Sequence, residues 1–315
     1  MKTSGLGDNF YVGGYDLSGD ITSMDEVSGG PVTLGATAIK QTAEARLFGL
    51  RSGTVKFTTL FENTPAISTP GFPLTTVPVT NVTGFPVFVT ISGGTLTFVF
   101  VNSIQVGTTA GTYPVPIGGT ISITYSAAPT WSWFALGEEH NALAPLPRTD
   151  ATCMYARGTA VGGVAACCIG RQLNYDGTRD NTGNLTFQVE VDSDSFGLEW
   201  CTLLTAGLRT DTTATAGAFI DQGAQSVFGA QAYVELIELV GTNVDISIQH
   251  ATTSGGSYTS LIDFGSMTTY PQAARGSVSN STTVNEFIKV VTTGTFSYAT
   301  FAVAMNRNTI AGVTF

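Results

Sequence analysis

Residues 184–195 read NLTFQVEVDSDS, and their alternation decides the fold class. Leu185, Phe187, Val189 and Val191 fall on one side of an extended chain, and Thr186, Gln188, Glu190, Asp192 and Asp194 on the other. The apolar side is expected to face a core. The opposite side carries Glu190, Asp192 and Asp194 with no lysine or arginine beside them in the sequence. Upstream, DATCMYARGT (150–159) and VAACCIGRQLNY (164–175) complete a β-meander, with turns at Gly162-Gly163 and at DGTRDNTG (176–183). GTVKFTTLF (53–61) is a further strand with Val55, Phe57, Thr59 and Phe61 on one face and Lys56 on the other. A helix is expected before it: Thr37 can cap its start, Ile39, Ala43 and Leu47 share a face, and Gly49 stands where a helix stops.

Charge placement divides the chain. From Asn63 to Gly137 there is no Asp, Glu, Lys or Arg, and this stretch holds eight of the 12 prolines. Such a shift marks an inserted module. Within it, FPVFVTISGGTLTFVFVNSIQVG and GGTISITYS read as strands of a small antiparallel β-sandwich, broken at Gly-Gly and Asn-Ser. Residues 205–225, TAGLRTDTTATAGAFIDQGAQ, are small and polar, as in a linker or extended arm. Beyond them, QAYVELIELVGTNVDISIQHA gives two strands across Gly-Thr-Asn, and FIKVVTTGTFSYATFAVAMNRN another pair. The fold class is therefore mainly β, ending in a β-sandwich of jelly-roll type.

The totals narrow the function. The 315 residues carry a net charge of −10, and only 11% are charged. A chain so acidic is not built to grip nucleic acid by its phosphates. The start, MKTSGLGDNF, shows no apolar secretory core, and no apolar run approaches a membrane helix. Cys153, Cys167, Cys168 and Cys201 have no zinc-site spacing; Cys167 and Cys168, on opposite strand faces, are poor partners for each other. Buried reduced thiols are expected. His140 and His250 lie in no nucleophile or metal motif, so no enzyme is expected, and no cofactor. Asp176, Asp180 and Asn181 concentrate oxygen ligands that would suit calcium, but Asp, Asn and Gly are also what a hairpin turn demands. Trp131 and Trp133 would form a sugar-stacking platform if exposed; two residues apart on one strand face, they read first as core.

Several long pieces carry a resemblance. NFYVGGYDLSGDITSM (9–24), TAEARLFGLRSGTVKFTTLFEN (42–63), the run from Pro145 to Val191, GLEWCTLLTAGLRTDTTATAGA (197–218), VDISIQHATTSGGSYTSL (244–261) and FIKVVTTGTFSYATFAVAMNRN (287–308) are similar, in order, to the major tail proteins of long-tailed bacteriophages, including many phages of actinobacteria. The insert resembles small β modules that decorate phage virion proteins. The resemblance implies a tail-tube domain in residues 1–62 and 138–204, interrupted by the insert at 63–137 and followed by an arm at 205–225 and a C-terminal domain at 226–315. It implies a virion protein of the tail tube, assembled in the bacterial cytoplasm. Copies would close into rings, commonly hexameric or a pseudo-sixfold trimer, and stack into a conduit for double-stranded DNA. Tape-measure, terminator and distal tail proteins would be its neighbours, with host-surface polysaccharide a possible contact of the outer domains. On that reading Glu190, Asp192 and Asp194 face either the lumen or the outside, GTVKFTTLF is a second lining element, and Arg209 and Asp211 pair across a subunit joint. A head or decoration protein and a carbohydrate-binding adhesin are the alternatives.

Overall fold

The computed structural model describes residues 7–35, 37, 46–61, 67–83, 86–135 and 138–310. The N-terminal part holds β1 (Asn9–Val12), β2 (Tyr15–Asp16), β3 (Ile21–Gly35) and β4 (Arg46–Leu60). The charge-free insert forms β5 (Val79–Thr80), β6 (Val87–Ser92), β7 (Thr95–Val101), β8 (Ile104–Gly107), β9 (Gly111–Val115), β10 (Thr120–Ala127) and β11 (Thr130–Ala135). Then come α1 (Glu138–Leu143), β12 (Asp150–Ala156), β13 (Val164–Gln172), β14 (Asp176–Arg179), β15 (Leu185–Ser193) and β16 (Glu199–Leu203). Three short strands follow, β17 (Arg209–Asp211), β18 (Thr215–Ala216) and β19 (Ile220–Asp221). The chain closes with β20 (Ala230–Ala251), β21 (Thr259–Met267), β22 (Gln272–Val278) and β23 (Phe287–Arg307). The protein is mainly β and built of antiparallel sheets, as the alternation predicts.

In the first core, Phe10, Val12, Cys153, Ala166 and Cys168 from β1, β12 and β13 face Val55, Phe57, Val189 and Val191 from β4 and β15. The two layers join where Gly170–Gln172 of β13 pairs with Val191–Ser193 of β15. Each fully buried side chain of this size contributes about 1.5–3 kcal/mol relative to exposure. Cys167 lies in the neighbouring core, opposite Cys168, and all four cysteines are free and buried. The expected helix is not where the sequence placed its end. Residues 38–45 of that segment lie outside the described residues, and Arg46–Gly49 are strand, with Leu47 opposite Leu34 of β3. Pairing with β3 outweighs a modest helix propensity here. Among the described residues the one helix is α1.

The insert is a sandwich of two sheets, β5-β10-β7-β8 and β11-β6-β9, around Val89, Ile91, Val99, Val101, Ile121 and Ile123. Asn102 and Ser103, both with positive φ, close the β7–β8 hairpin. Gly93 and Gly94 instead carry the chain from one sheet to the other, since β6 and β7 do not pair. Val240 and Tyr298 pack on this core from outside the insert.

The C-terminal region differs from expectation in two ways. β20 and β23 are each one strand, of 22 and 21 residues, where two apiece were expected. They bend together through register shifts between Leu236 and Asn243, with Gly241 (φ +156°) facing Phe296 and Gly294 (φ +114°) facing Val244. A Cβ on Gly241 would lie 2.4 Å from the Phe296 Cα, so glycine permits the bend and the ladder survives it. The second difference is the 205–225 segment, which is not a free arm. β17, β18 and β19 each pair with β23 of the same chain, satisfying backbone groups that a free arm would leave to water.

The two halves share one hydrogen-bonded sheet through β16 and β23, at Thr202 opposite Met305 and Leu203 opposite Ala304. Two buried polar contacts reinforce it. Arg275 of β22 donates from Nη2 (3.0 Å) and Nε (3.1 Å) to the Glu199 carboxylate of β16, and its guanidinium lies 3.8 Å from the Phe196 ring. The Arg275 and Glu199 side chains are only 5% and 1% exposed. Glu235 of β20, wholly buried, accepts the Gly14 N–H at 2.6 Å. Burial pushes its carboxyl up from 4.5 to about 8, the nearby Thr152 hydroxyl and the Gly14 N–H acting in the opposite direction.

Two outcomes follow for stability. Arg275→Met leaves Glu199 buried without its counter-charge and is expected to cost about 3–5 kcal/mol in urea unfolding. For Glu235, the unfolded chain releases its proton near 4.5, whereas the folded chain holds it to about 8. Between these values the folded state binds more protons, so its stability falls as pH rises through the window and levels off above it. Glu235→Gln is expected to remove that slope, and urea midpoints measured across the same range check it.

Candidate functional site on the β3–β4–β15 face

The side chains that alternate with the first core form a polar face across β3, β4, β15 and β13. Cross-strand register brings Lys56 between Glu190 of β15 and Glu26 of β3. The Lys56 Nζ lies 3.1 Å from Glu190 Oε1 and 3.4 Å from Glu26 Oε2. Asp192 accepts the Thr54 hydroxyl at 2.8 Å. Asp194 lies 3.9 Å from Arg171 Nη2, which sits 2.7 Å from Asp150. The carboxylates that look unanswered in sequence are therefore answered across the sheet, by residues that only register brings near. The Glu190 carboxylate, then that of Glu26, raises the Lys56 amine above its ordinary value. A hydrogen bond from Ser28, and then Lys56, lowers Glu26.

The face stays acidic after this pairing. Among the described residues of this row, Asp25, Glu26, Asp150, Glu190, Asp192 and Asp194 outnumber Lys56 and Arg171. β4 is paired on both sides between Thr54 and Leu60, by β15 and by β3. Among the described residues, β4 before Gly53 pairs only with β3, so these two strands run on past β15 as a two-stranded ribbon. Leu198 packs into the neck of that ribbon, where a Cβ on Gly29 or Gly53 would meet its Cβ at 2.6 or 2.4 Å. Among the described residues β3 pairs only with β4, which leaves one edge of a 15-residue strand open.

The other sequence-derived residues take structural places. Arg209 and Asp211 pair with each other within β17, Nη2 to Oδ2 at 2.7 Å and Nε to Oδ1 at 2.9 Å, and Arg209 also donates to the Val290 carbonyl. Asp211 is 5% exposed and accepts the Thr292 hydroxyl, so both charges serve the chain's own β17–β23 joint. Trp133 is buried in the insert core, and Trp131 meets it edge-on while donating Nε1–H to the Pro70 carbonyl at 2.9 Å. They form no open platform, because strand alternation turns both rings inward.

Asp180 accepts the Thr182 hydroxyl and the Thr182 and Asn184 N–H groups, closing the β14–β15 hairpin. The turn is shorter than the sequence suggests, since Asp176–Arg179 are strand. Among the described residues no cluster of His, Cys, Asp or Glu is placed to hold a metal ion. His140 Nδ1 is 3.2 Å from the Tyr175 hydroxyl, which donates to Glu139; His250 Nδ1 accepts the Asn285 N–H at 3.1 Å. Sequence reasoning passed over Glu199, Glu235 and Arg275, although Glu235 in AYVELIELV is a visible signal, a charge inside an apolar run.

No known protein family and no curated protein matches the chain. Among solved structures, it aligns with the SPP1 Dit protein, described as a paradigm of the hub adsorption apparatus in phages infecting Gram-positive bacteria. The alignment covers 95% of this chain and 99% of that one, at 8% identity and a TM-score of 0.28. A likeness this distant assigns nothing.

Proposed function

We propose that this chain is a structural protein of a phage tail, and specifically the tail-tube subunit whose copies join edge to edge into stacked rings. The observation that carries the reading is the edge of β3 that has no strand partner among the described residues. A long exposed strand edge is a template for pairing with another chain, and natural proteins rarely leave one uncovered. A closed ring removes every such edge, because each subunit's edge meets the next subunit. The stretches read above as similar to major tail proteins point the same way, although no family model matches the chain. The acidic face supports the conduit role: a duplex carries about one negative charge per 1.7 Å, and a basic wall would bind it by counterion release. With Glu190, Asp192 and Asp194 turned to the lumen, a net negative wall keeps DNA from adhering.

Purified protein is expected to give rings and hollow stacks in negative-stain images, with a mass in light scattering of six chains, or three in a pseudo-sixfold ring. A monomer at every concentration and salt overturns the reading. Replacing Glu190, Asp192 and Asp194 together by lysine is expected to leave rings and stacks intact and to lower phage infectivity by impairing DNA delivery. Normal infectivity from such particles removes the lumen placement and leaves the ring untouched.

A further inference from the structure

The sheet β5-β10-β7-β8 of the insert has one face on the module's core and one turned away from it. Val99 and Val101 are fully buried, so Phe98 and Phe100, which alternate with them on β7, point outward. Phe98 is 38% exposed and Phe100 half-buried, and the two ring centroids lie 5.9 Å apart with planes tilted by 52°. Opposite Phe98 stands Thr124; opposite Phe100 stand Ser122 on one side and Gln105 on the other. The module as a whole, residues 63–137, contains no Asp, Glu, Lys, Arg or His. It docks on the rest of the chain through its core, against Val240 and Tyr298, and through Phe88 of β6 against Tyr270. Neither contact uses Phe98 or Phe100.

These features select a partner by its chemistry. A charged ligand finds no counter-charge anywhere on the module. A purely apolar partner would strip water from Ser122, Thr124 and Gln105 without replacing their hydrogen bonds, which is costly. A sugar ring satisfies both demands, since its C–H face lies on an aromatic ring while its rim hydroxyls meet hydroxyl and amide side chains. We propose that this face, centred on Phe98 and Phe100, is a binding site for neutral polysaccharide. The two tilted rings form a shallow cradle for a short length of sugar chain. The site does not depend on the tail reading, and ring formation and sugar binding fail independently.

The test is affinity electrophoresis of the full chain through gels containing soluble neutral polysaccharides: a glucan, a galactomannan and an arabinogalactan. A charged polysaccharide serves as control. Retardation by at least one neutral polymer is expected, unchanged between low and high salt because no ion pair contributes. Phe98→Thr and Phe100→Thr keep strand propensity, leave the core side of β7 intact, and are expected to melt as the parent does. Each is expected to weaken binding about tenfold, the scale of one aromatic contact. No retardation by any neutral polymer, binding that fades with salt, or full binding by both variants overturns the proposal. The parent chain alone decides the first two outcomes, whatever the stability of the variants.

Discussion

Arg275 and Glu199 are both withdrawn from water, and neither group tolerates that alone. Their bidentate contact joins β22 to β16, and so ties the C-terminal strands to the N-terminal sandwich. Around it lies a core drawn from both halves: Tyr11, Met154, Cys167 and Leu203 from one, Tyr233, Ala302 and Ala304 from the other. The Glu235–Gly14 contact fixes the same joint from the β1–β2 turn. With the joint fixed, the main sheet continues from β13 through β16 to β23 and β20, and the two halves present their outer strands in a set relation.

That relation gives the open edge and the acidic face their significance. The β3–β4 ribbon projects from one border of a sandwich held by buried contacts, and Leu198 wedges its neck against Gly29 and Gly53. Among the described residues this border keeps one side of β3 without a strand partner, which is the feature the proposed assembly would use. The acidic face flanks this border and is ordered by Lys56 and Arg171, which hold the carboxylates in rows without neutralising them. The insert is a separate sandwich with a core of its own, so a binding surface on it can vary without disturbing the joint.

How much was legible differs from element to element. The Leu185–Val191 alternation predicts Leu185, Phe187, Val189 and Val191 on the core side; Val189 and Val191 are buried there, whereas Leu185 and Phe187, nearer the β14–β15 hairpin, are half-buried. Opposite burial of Cys167 and Cys168 follows from strand geometry alone and holds. The segment before Gly49 carries helical spacing, yet its end is strand, because β3 offers a ladder that local spacing does not register. Gly241 reads as a turn signal and acts instead as a bend, with Gly294 beside it on β23, since both strands deviate at the same level and their pairing continues through it. The 205–225 segment reads as an arm because its residues are small and polar, and lies flat because β23 has a free side to receive it.

By itself the sequence determined the mainly β class, the charge-free insert as a sandwich and the inward turn of its paired tryptophans, Trp133 buried and Trp131 partly so, because alternation and composition are local properties. Only the tertiary structure decided that Lys56 answers Glu190 and Glu26, that Arg275 answers Glu199, and that β3 pairs only with β4 among the described residues. Partners across a sheet are fixed by register between strands far apart in the chain, and register is set by how whole cores pack, which no short stretch encodes.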